Sequence, residues 1–355
     1  MKPVPTKIIK KMLIARKPLV DAIAVIEACN RLIGVNPLDD KAYYDMACAK
    51  YDSDDNQGAL EDFNKVIAIN PGNANAFNRR GLVKSESGDS TGAIADFNCA
   101  IVIDHNFYKA YVNRANAKFR IADFQSAFED YDKAIEIYPD YLEAFVNRGA
   151  AKSWIGDKPG AIEDYESAIA IDPDFPLIYF NRGFVKFQMR DFQSAIEDYD
   201  KTLELNPEIM NAFFYRGASK LGIKDFRGAI ADFNISIAYD PTELEPYFNR
   251  ANAKIGVNNF LGAINDNNKV LEIDPLFAGA HYYNGFAKYQ LKNLKGALID
   301  FNKAIEIDPR FAMAYFSRAI VELSFCDTES AYSDLQKAKE LGLINDFNII
   351  REDLN

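Results

Sequence analysis

Apolar and small residues recur at helical spacing in two successive stretches within every 34 residues of this chain. In segment 142–173, Phe145 and Gly149 mark the first stretch, and Ala161 and Tyr165 mark the second. A Gly-Asp pair separates the two stretches. An Asp-Pro pair ends the second, because proline can neither donate a backbone hydrogen bond nor continue a helix. The pattern therefore predicts one helical hairpin per period.

The period persists along the chain, with nine repeats running from 40–73 to 312–345. Numbered from the start of each repeat, place 8 is Gly or Ala and place 20 is Ala in all nine, while place 24 is aromatic in seven. Small residues let two helices approach closely. The proline register, broken only at His105, runs Pro37, Pro71, His105, Pro139, Pro173, Pro207, Pro241, Pro275 and Pro309. A fixed period of this length is typical of stacked hairpins that share one continuous core.

This small–Ala–aromatic–Pro register resembles the tetratricopeptide repeat (TPR) family over about residues 40–345. The resemblance implies an all-α fold, a right-handed superhelical solenoid of antiparallel helix pairs whose first helices line an inner groove. We expect degenerate capping helices over residues 1–37, nine repeats over residues 38–345 and a C-terminal capping helix over residues 346–355.

Two places depart from the family pattern. Place 7, commonly Leu in the family, is Arg in seven repeats, with Met46 and Asn284 as the exceptions, and place 23 is Asp in all nine. We interpret these residues as a ladder of ion pairs, because each Arg has an Asp in its own repeat. An anion-binding stripe is the alternative. Asn267 replaces the aromatic residue of place 24 and predicts a locally weaker seventh repeat, whereas His281 is expected to be a packing residue.

Composition narrows the range of partners. The chain has 355 residues, 48% of them hydrophobic, and a net charge of −11, although its first 20 residues carry six Lys and Arg and no acid. This balance favours a basic protein or peptide partner over nucleic acid. No apolar run reaches about 18 residues, so no membrane span is expected. The four cysteines form no CxxC pair, which predicts free thiols in the cytoplasm rather than disulfides or a metal site.

Motifs for catalysis are absent from the sequence. It contains no P-loop, no GxGxxG, no zinc-ligand spacing and no Ser–His–Asp set. Neighbouring acids such as Glu163 and Asp164 point in different directions on a helix. We therefore expect no enzymatic activity and no cofactor.

The resemblance implies that places 2, 5, 6, 9, 12 and 13 of each first helix face the groove. Asparagine at place 6 can both donate to and accept from a peptide backbone, although it also suits a helix surface or a cap. The proposed backbone-binding residues are Asn113, Asn147, Asn181 and Asn249. Apolar rings at the other places would hold side chains, unless packing between repeats absorbs them. They are Phe180, Phe184, Phe187, Phe214, Phe248, Tyr282, Phe286 and Tyr289.

These residues predict a protein-interaction module that binds an extended peptide or a partner helix in the groove. A self-associating, homo-oligomeric scaffold is the alternative. Chaperone-binding members of the family grip a terminal carboxylate with Lys at place 5. Place 5 contains no Lys here, so that mode of binding is not expected.

Overall fold

The computed structural model describes residues 19–343, and within this range every regular element is a helix. Helix α1 (Leu19–Val35) lies in the predicted N-terminal cap, and nine helical hairpins follow it. Residues 1–18 and the predicted capping helix 346–355 lie outside the described range.

Each hairpin has a first and a second helix of nearly equal length. The first helices are α2 (Asp40–Asp52), α4 (Ala74–Glu86), α6 (Tyr108–Arg120), α8 (Leu142–Ile155), α10 (Pro176–Gln188), α12 (Met210–Gly222), α14 (Leu244–Gly256), α16 (Ala278–Gln290) and α18 (Ala312–Leu323). The second helices are α3 (Asn56–Ile69), α5 (Ser90–Ile103), α7 (Phe124–Ile137), α9 (Lys158–Ile171), α11 (Phe192–Leu205), α13 (Phe226–Tyr239), α15 (Phe260–Ile273), α17 (Leu294–Ile307) and α19 (Thr328–Glu340).

The chain divides into two compact blocks, an N-terminal block that ends at Val185 and a C-terminal block that begins at Lys186. Successive helices pack against one another along the chain from α1 to α9 in the N-terminal block and from α11 to α19 in the C-terminal block. This succession of helix pairs confirms the predicted all-α architecture.

The turn inside each hairpin uses a left-handed residue at place 15, with φ between 59° and 93°. Glycine supplies it in only two hairpins, at Gly88 and Gly156, so the predicted Gly-Asp turn is the exception. A left-handed L-residue costs roughly 1–2 kcal/mol. Hydrogen bonds offset that cost, because the next backbone N–H donates to the carbonyl of place 11, as Asp157 does to Lys152 at 2.9 Å.

Aspartate side chains accept backbone N–H groups at the start of the second helix and just beyond its end. At the start, the carboxylate of Asp157 accepts the backbone N–H of Gly160 at 3.0 Å, an N-cap worth about 1 kcal/mol. At the end, Asp172 accepts the N–H of Asp174 at 3.1 Å, which turns the chain into the next hairpin. In the Asp-Pro pair predicted to end this helix, the aspartate therefore contributes a hydrogen bond in addition to the effect expected of the proline.

The core follows the predicted register of small and aromatic residues. The alanine of place 20 is fully buried in all nine repeats. A Cβ added to Gly81 at place 8 would lie only 2.7 Å from the ring of Phe97 at place 24, so the ring needs the space that glycine leaves. Burying such a ring contributes roughly 1.5–3 kcal/mol.

Candidate functional site

The arginine of place 7 pairs with the aspartate of place 23 in its own repeat, as predicted. Arg148 Nη2 lies 2.6 Å from Asp164 Oδ1, and its Nε lies 3.0 Å from Oδ2, while Asp164 is only 2% exposed. The same two-point contact joins Arg80 to Asp96, Arg114 to Asp130, Arg216 to Asp232, Arg250 to Asp266 and Arg318 to Asp334.

The rest of each guanidinium in these pairs is also engaged. Arg216 Nη1 donates to Asp200 of the preceding repeat at 2.7 Å, and the group lies 5.3 Å from the ring centre of Phe213. Burial alone would lower the pKa of Arg216, but its bonds to Asp232 and Asp200 leave that pKa above its ordinary value. Two aspartates and a ring therefore surround the guanidinium of Arg216, and this arrangement favours the ion-pair ladder over an anion-binding stripe at these repeats.

A lysine at place 11 completes the ladder and was missed in the sequence interpretation. Lys152 Nζ lies 3.0 Å from the same Asp164 carboxylate that Arg148 holds. The equivalent lysines are Lys50, Lys84, Lys118, Lys186, Lys220, Lys254 and Lys288. Their 34-residue recurrence was available in the sequence. The ninth repeat has Glu322 at this place instead.

The eighth repeat lacks the arginine of the ladder. Asn284 takes its place and donates to Asn268 at 3.0 Å, and His281 Nδ1 lies 3.9 Å from Asp300 Oδ1. In the preceding repeat, Asn267 is fully buried, and neither polar atom of its amide has a hydrogen-bond partner among residues 19–343. These replacements support the predicted local weakness around the seventh repeat.

We use the name inner face for places 2, 5, 6, 9, 12 and 13 of the first helices. Contacts between successive repeats bring these places onto one surface within each block. In the N-terminal block the contacts are polar: Asn113 Nδ2 donates to Asn78 Oδ1 at 2.9 Å, and Arg120 Nη1 donates to the Ser85 hydroxyl at 2.6 Å. The inner face there is a hydrogen-bonded polar surface.

The four asparagines of the predicted backbone-binding set differ in their partners. Asn113 already uses one N–H for Asn78. Asn147 and Asn249 are partly buried and make no side-chain hydrogen bond within residues 19–343, and Asn181 Nδ2 is buried without a partner in that range. Three of the four amides are therefore unused by the described part of the protein.

The eight predicted ring residues also divide into two groups. Phe180, Phe184 and Tyr282 are at most 8% exposed, so packing absorbs their rings. The other five are partly buried, namely Phe187, Phe214, Phe248, Phe286 and Tyr289.

In the C-terminal block, aromatic contacts link successive first helices. Phe187 and Tyr215 have ring centres 5.8 Å apart at 68°, and Phe248 and Tyr283 have ring centres 5.5 Å apart at 65°. The two tyrosines occupy place 6 and were not among the predicted site residues. Burial raises the pKa of both hydroxyls, with smaller contributions from Glu245 and Tyr282 respectively, so both remain protonated donors at neutral pH.

A metal site, a membrane-spanning helix and a disulfide would each require features that residues 19–343 do not have. Among residues 19–343, no group of three or more His, Cys, Asp or Glu side chains could hold a metal ion. Every helix of the described chain is too short or too polar to span a bilayer. The four cysteines are all unpaired.

Comparison with known proteins places these repeats in a family. Models described as tetratricopeptide repeat match residues 40–73, 108–141 and 176–209, and one described as TPR repeat matches residues 155–190. The first three matches share the boundaries of predicted repeats one, three and five. No curated protein matches the chain.

Solved structures show the same fold at low sequence identity. PilF of Pseudomonas aeruginosa is 16% identical with a TM-score of 0.53, and the alignment covers 58% of this chain and 94% of that one. The APC/C hetero-tetramer Cut9–Hcn1 is 17% identical with a TM-score of 0.50, covering 83% of this chain and 58% of that one. YrrB, a TPR protein with an unusual peptide-binding site, is 22% identical with a TM-score of 0.49, covering 52% and 95%. With its repeated register, its helix pairs and these matches, the chain is an array of helical hairpins that contains tetratricopeptide repeats at residues 40–73, 108–141 and 176–209.

Proposed function

We propose that this chain is a non-enzymatic protein-interaction module that binds an extended peptide along the inner face of its first helices. Its four unpaired cysteines support a reducing compartment, and we place the protein in the cytoplasm. The described residues offer no metal-binding cluster, and the recurring acids are engaged in the ion-pair ladder.

The unused amides at place 6 carry this proposal. A buried polar group without a partner costs about 1–3 kcal/mol, and such groups in proteins are normally satisfied. Asn181 Nδ2 is buried without a partner among the described residues, and Asn147 makes no side-chain bond there. A peptide backbone on the inner face would supply both donors and acceptors to the partly exposed amide of Asn147, and it would reach Asn181 Nδ2 once a small side-chain rotation exposes that atom.

The spacing of the repeats suits an extended ligand. Neighbouring packed helices are about 8–10 Å apart, and an extended chain rises about 3.3 Å per residue. One repeat therefore spans about three ligand residues. An amide at place 6 of successive repeats can engage the backbone at that interval without reading the side chains between.

Replacement of the two N-terminal-block amides tests the proposal. Peptides selected from a random displayed library against the full chain serve as probes, and their affinities are measured by fluorescence anisotropy. We expect Asn147→Ala/Asn181→Ala to weaken binding about tenfold or more, since each lost backbone hydrogen bond contributes about 0.5–1.5 kcal/mol. Asn106→Ala, at an exposed asparagine between hairpins, is the matched control and should bind normally.

Equal affinity of wild type and double variant would refute the amide ladder. Failure of the library to yield any binder would refute peptide recognition itself. A chain that dimerises by light scattering, and whose dimer the double variant disrupts, would instead assign this face to a second copy.

A further inference from the structure

The inner faces of the two blocks differ in charge. In the N-terminal block, helices α2, α4, α6 and α8 carry eight charged residues among their 24 inner-face places. In the C-terminal block, helices α12, α14, α16 and α18 carry only Glu245 among 24 such places. Charged groups in a chain that is 26% charged are thus nearly absent from this surface. Because an unpaired charge is costly to bury, a ligand for this face should itself be uncharged.

The rings of this face make two similar edge-to-face contacts, two repeats apart. Phe187 meets Tyr215, and Phe248 meets Tyr283, in both cases with the ring planes steeply inclined. Asn249 occupies place 6 of the repeat between the two tyrosines and makes no side-chain hydrogen bond among the described residues. Tyr215, Asn249 and Tyr283 therefore alternate ring, amide and ring along successive first helices.

The length of one turn of a polyproline II helix matches the distance between successive repeats. It has three residues per turn and rises about 3.1 Å per residue, which gives roughly 9 Å per turn. Packed helices are about 8–10 Å apart, so one turn of the ligand matches one repeat. Residues i, i+3 and i+6 of such a peptide would meet Tyr215, Asn249 and Tyr283 in succession.

The carbonyl acceptors of a polyproline II peptide also match the hydrogen-bond donors of this face. A polyproline II backbone has no internal hydrogen bonds, and its prolines offer carbonyl acceptors but no N–H donors. Asn249 and the Tyr283 hydroxyl, neither of which donates to a described residue, can supply donors to those carbonyls. A ring-lined groove with a few donors is the usual surface for this ligand class, whose preformed conformation reduces the entropy lost on binding.

We propose that the inner face of the C-terminal block binds an uncharged, proline-rich segment of a partner protein in the polyproline II conformation. This inference rests on the proposed peptide-binding function and specifies the ligand class for one block. The rings at Tyr215 and Tyr283 contact proline rings two turns apart, and the intervening asparagine donates to a carbonyl of the turn between them.

The test uses capped, fluorescein-labelled decaproline with the full chain, measured by fluorescence anisotropy. Capped peptides of the same length made of Gly-Ser and of Lys are the comparisons. The double variant Tyr215→Asn/Tyr283→Asn installs the residue that four other repeats carry at place 6, so the hairpins should still form. Tyr239→Asn, at a tyrosine 68% exposed on α13, is the matched control.

We expect decaproline to bind more tightly than both comparison peptides, the double variant to lose at least tenfold in affinity, and the control to bind like wild type. Decaproline binding no tighter than either comparison peptide, or equally well to the double variant, would overturn the inference. If library-selected peptides still bind in a manner sensitive to Asn147 and Asn181, the proline-rich assignment fails alone. If they also fail to bind, the proposed function fails with it.

Discussion

Removal of one aspartate from the ladder tests whether the ion pairs stabilise the hairpins. Asp164 is almost completely buried and neutralises two cations, with Arg148 Nη2 at 2.6 Å and Lys152 Nζ at 3.0 Å. Asp164→Ala leaves both cations without this partner. The loss of one partner from a buried ion pair costs about 3–5 kcal/mol, mostly because the other charge stays buried.

The structure indicates the lower end of that range. The Arg148 and Lys152 side chains are 17% and 21% exposed, and Arg148 keeps its contact with Asp132 of the preceding repeat. We therefore expect Asp164→Ala to lower the free energy of unfolding by about 3 kcal/mol. Asp132→Ala is the matched control, because its side chain is 63% exposed. An exposed pair contributes only about 0–1 kcal/mol.

Amide hydrogen exchange is the decisive assay, because each repeat of a solenoid contacts only its neighbours. The opening free energy of amides in α8 and α9 should fall by about 3 kcal/mol in Asp164→Ala, and the melting temperature should fall with it. Equal effects of Asp164→Ala and Asp132→Ala on exchange, or a change below about 1 kcal/mol in the buried variant, would refute a stabilising role for the buried pairs.

Two further predictions concern repeats that break the register. Asn267→Phe restores the ring of place 24 and removes a fully buried amide that has no partner among the described residues. The free energy of unfolding, measured by denaturant titration, should therefore rise by about 2 kcal/mol or more. Unchanged or lower stability would show that the site is adapted to asparagine. Burial and, to a smaller extent, the charge of Asp334 raise the pKa of Glu322 in the folded protein. The ionised carboxylate therefore destabilises the ninth repeat. This destabilisation is relieved as the pH falls through the raised pKa and Glu322 becomes protonated. Glu322→Gln should therefore melt above wild type at pH 7 by a margin that shrinks at acid pH, and a margin independent of pH would contradict this reasoning.

The hairpins, their register and the Arg–Asp pairs could be predicted from sequence because each depends on local spacing that recurs, nine times for the hairpins and seven times for the Arg–Asp pairs. A residue such as Ala161 lies on the core side of its helix wherever the 3.6-residue period places it. Place 7 and place 23 lie on helices joined by a tight turn, so their pairing follows from the hairpin alone. The contact of the place 11 lysine with the same aspartate could have been predicted in the same way, because this lysine also recurs every 34 residues.

The hairpin turn shows where local patterns were insufficient. Glycine is the usual left-handed residue, yet Arg190 and Lys224 adopt this conformation at the same place as Gly156. Backbone hydrogen bonds that close the turn offset the cost, and the spacing of apolar residues does not reveal them.

By itself, the sequence determined which residues share one side of each first helix, because helical periodicity assigns each residue to a face, and the family resemblance implied which of these sides is the inner one. Only the tertiary structure decided which of them remain accessible: Phe184 and Tyr282 are buried, whereas Phe187 and Phe248 are partly exposed and meet a tyrosine of the next repeat. The physical reason is that exposure and contact depend on the side chains and the distance of the neighbouring helix. A repeating pattern along one chain segment contains no information about either.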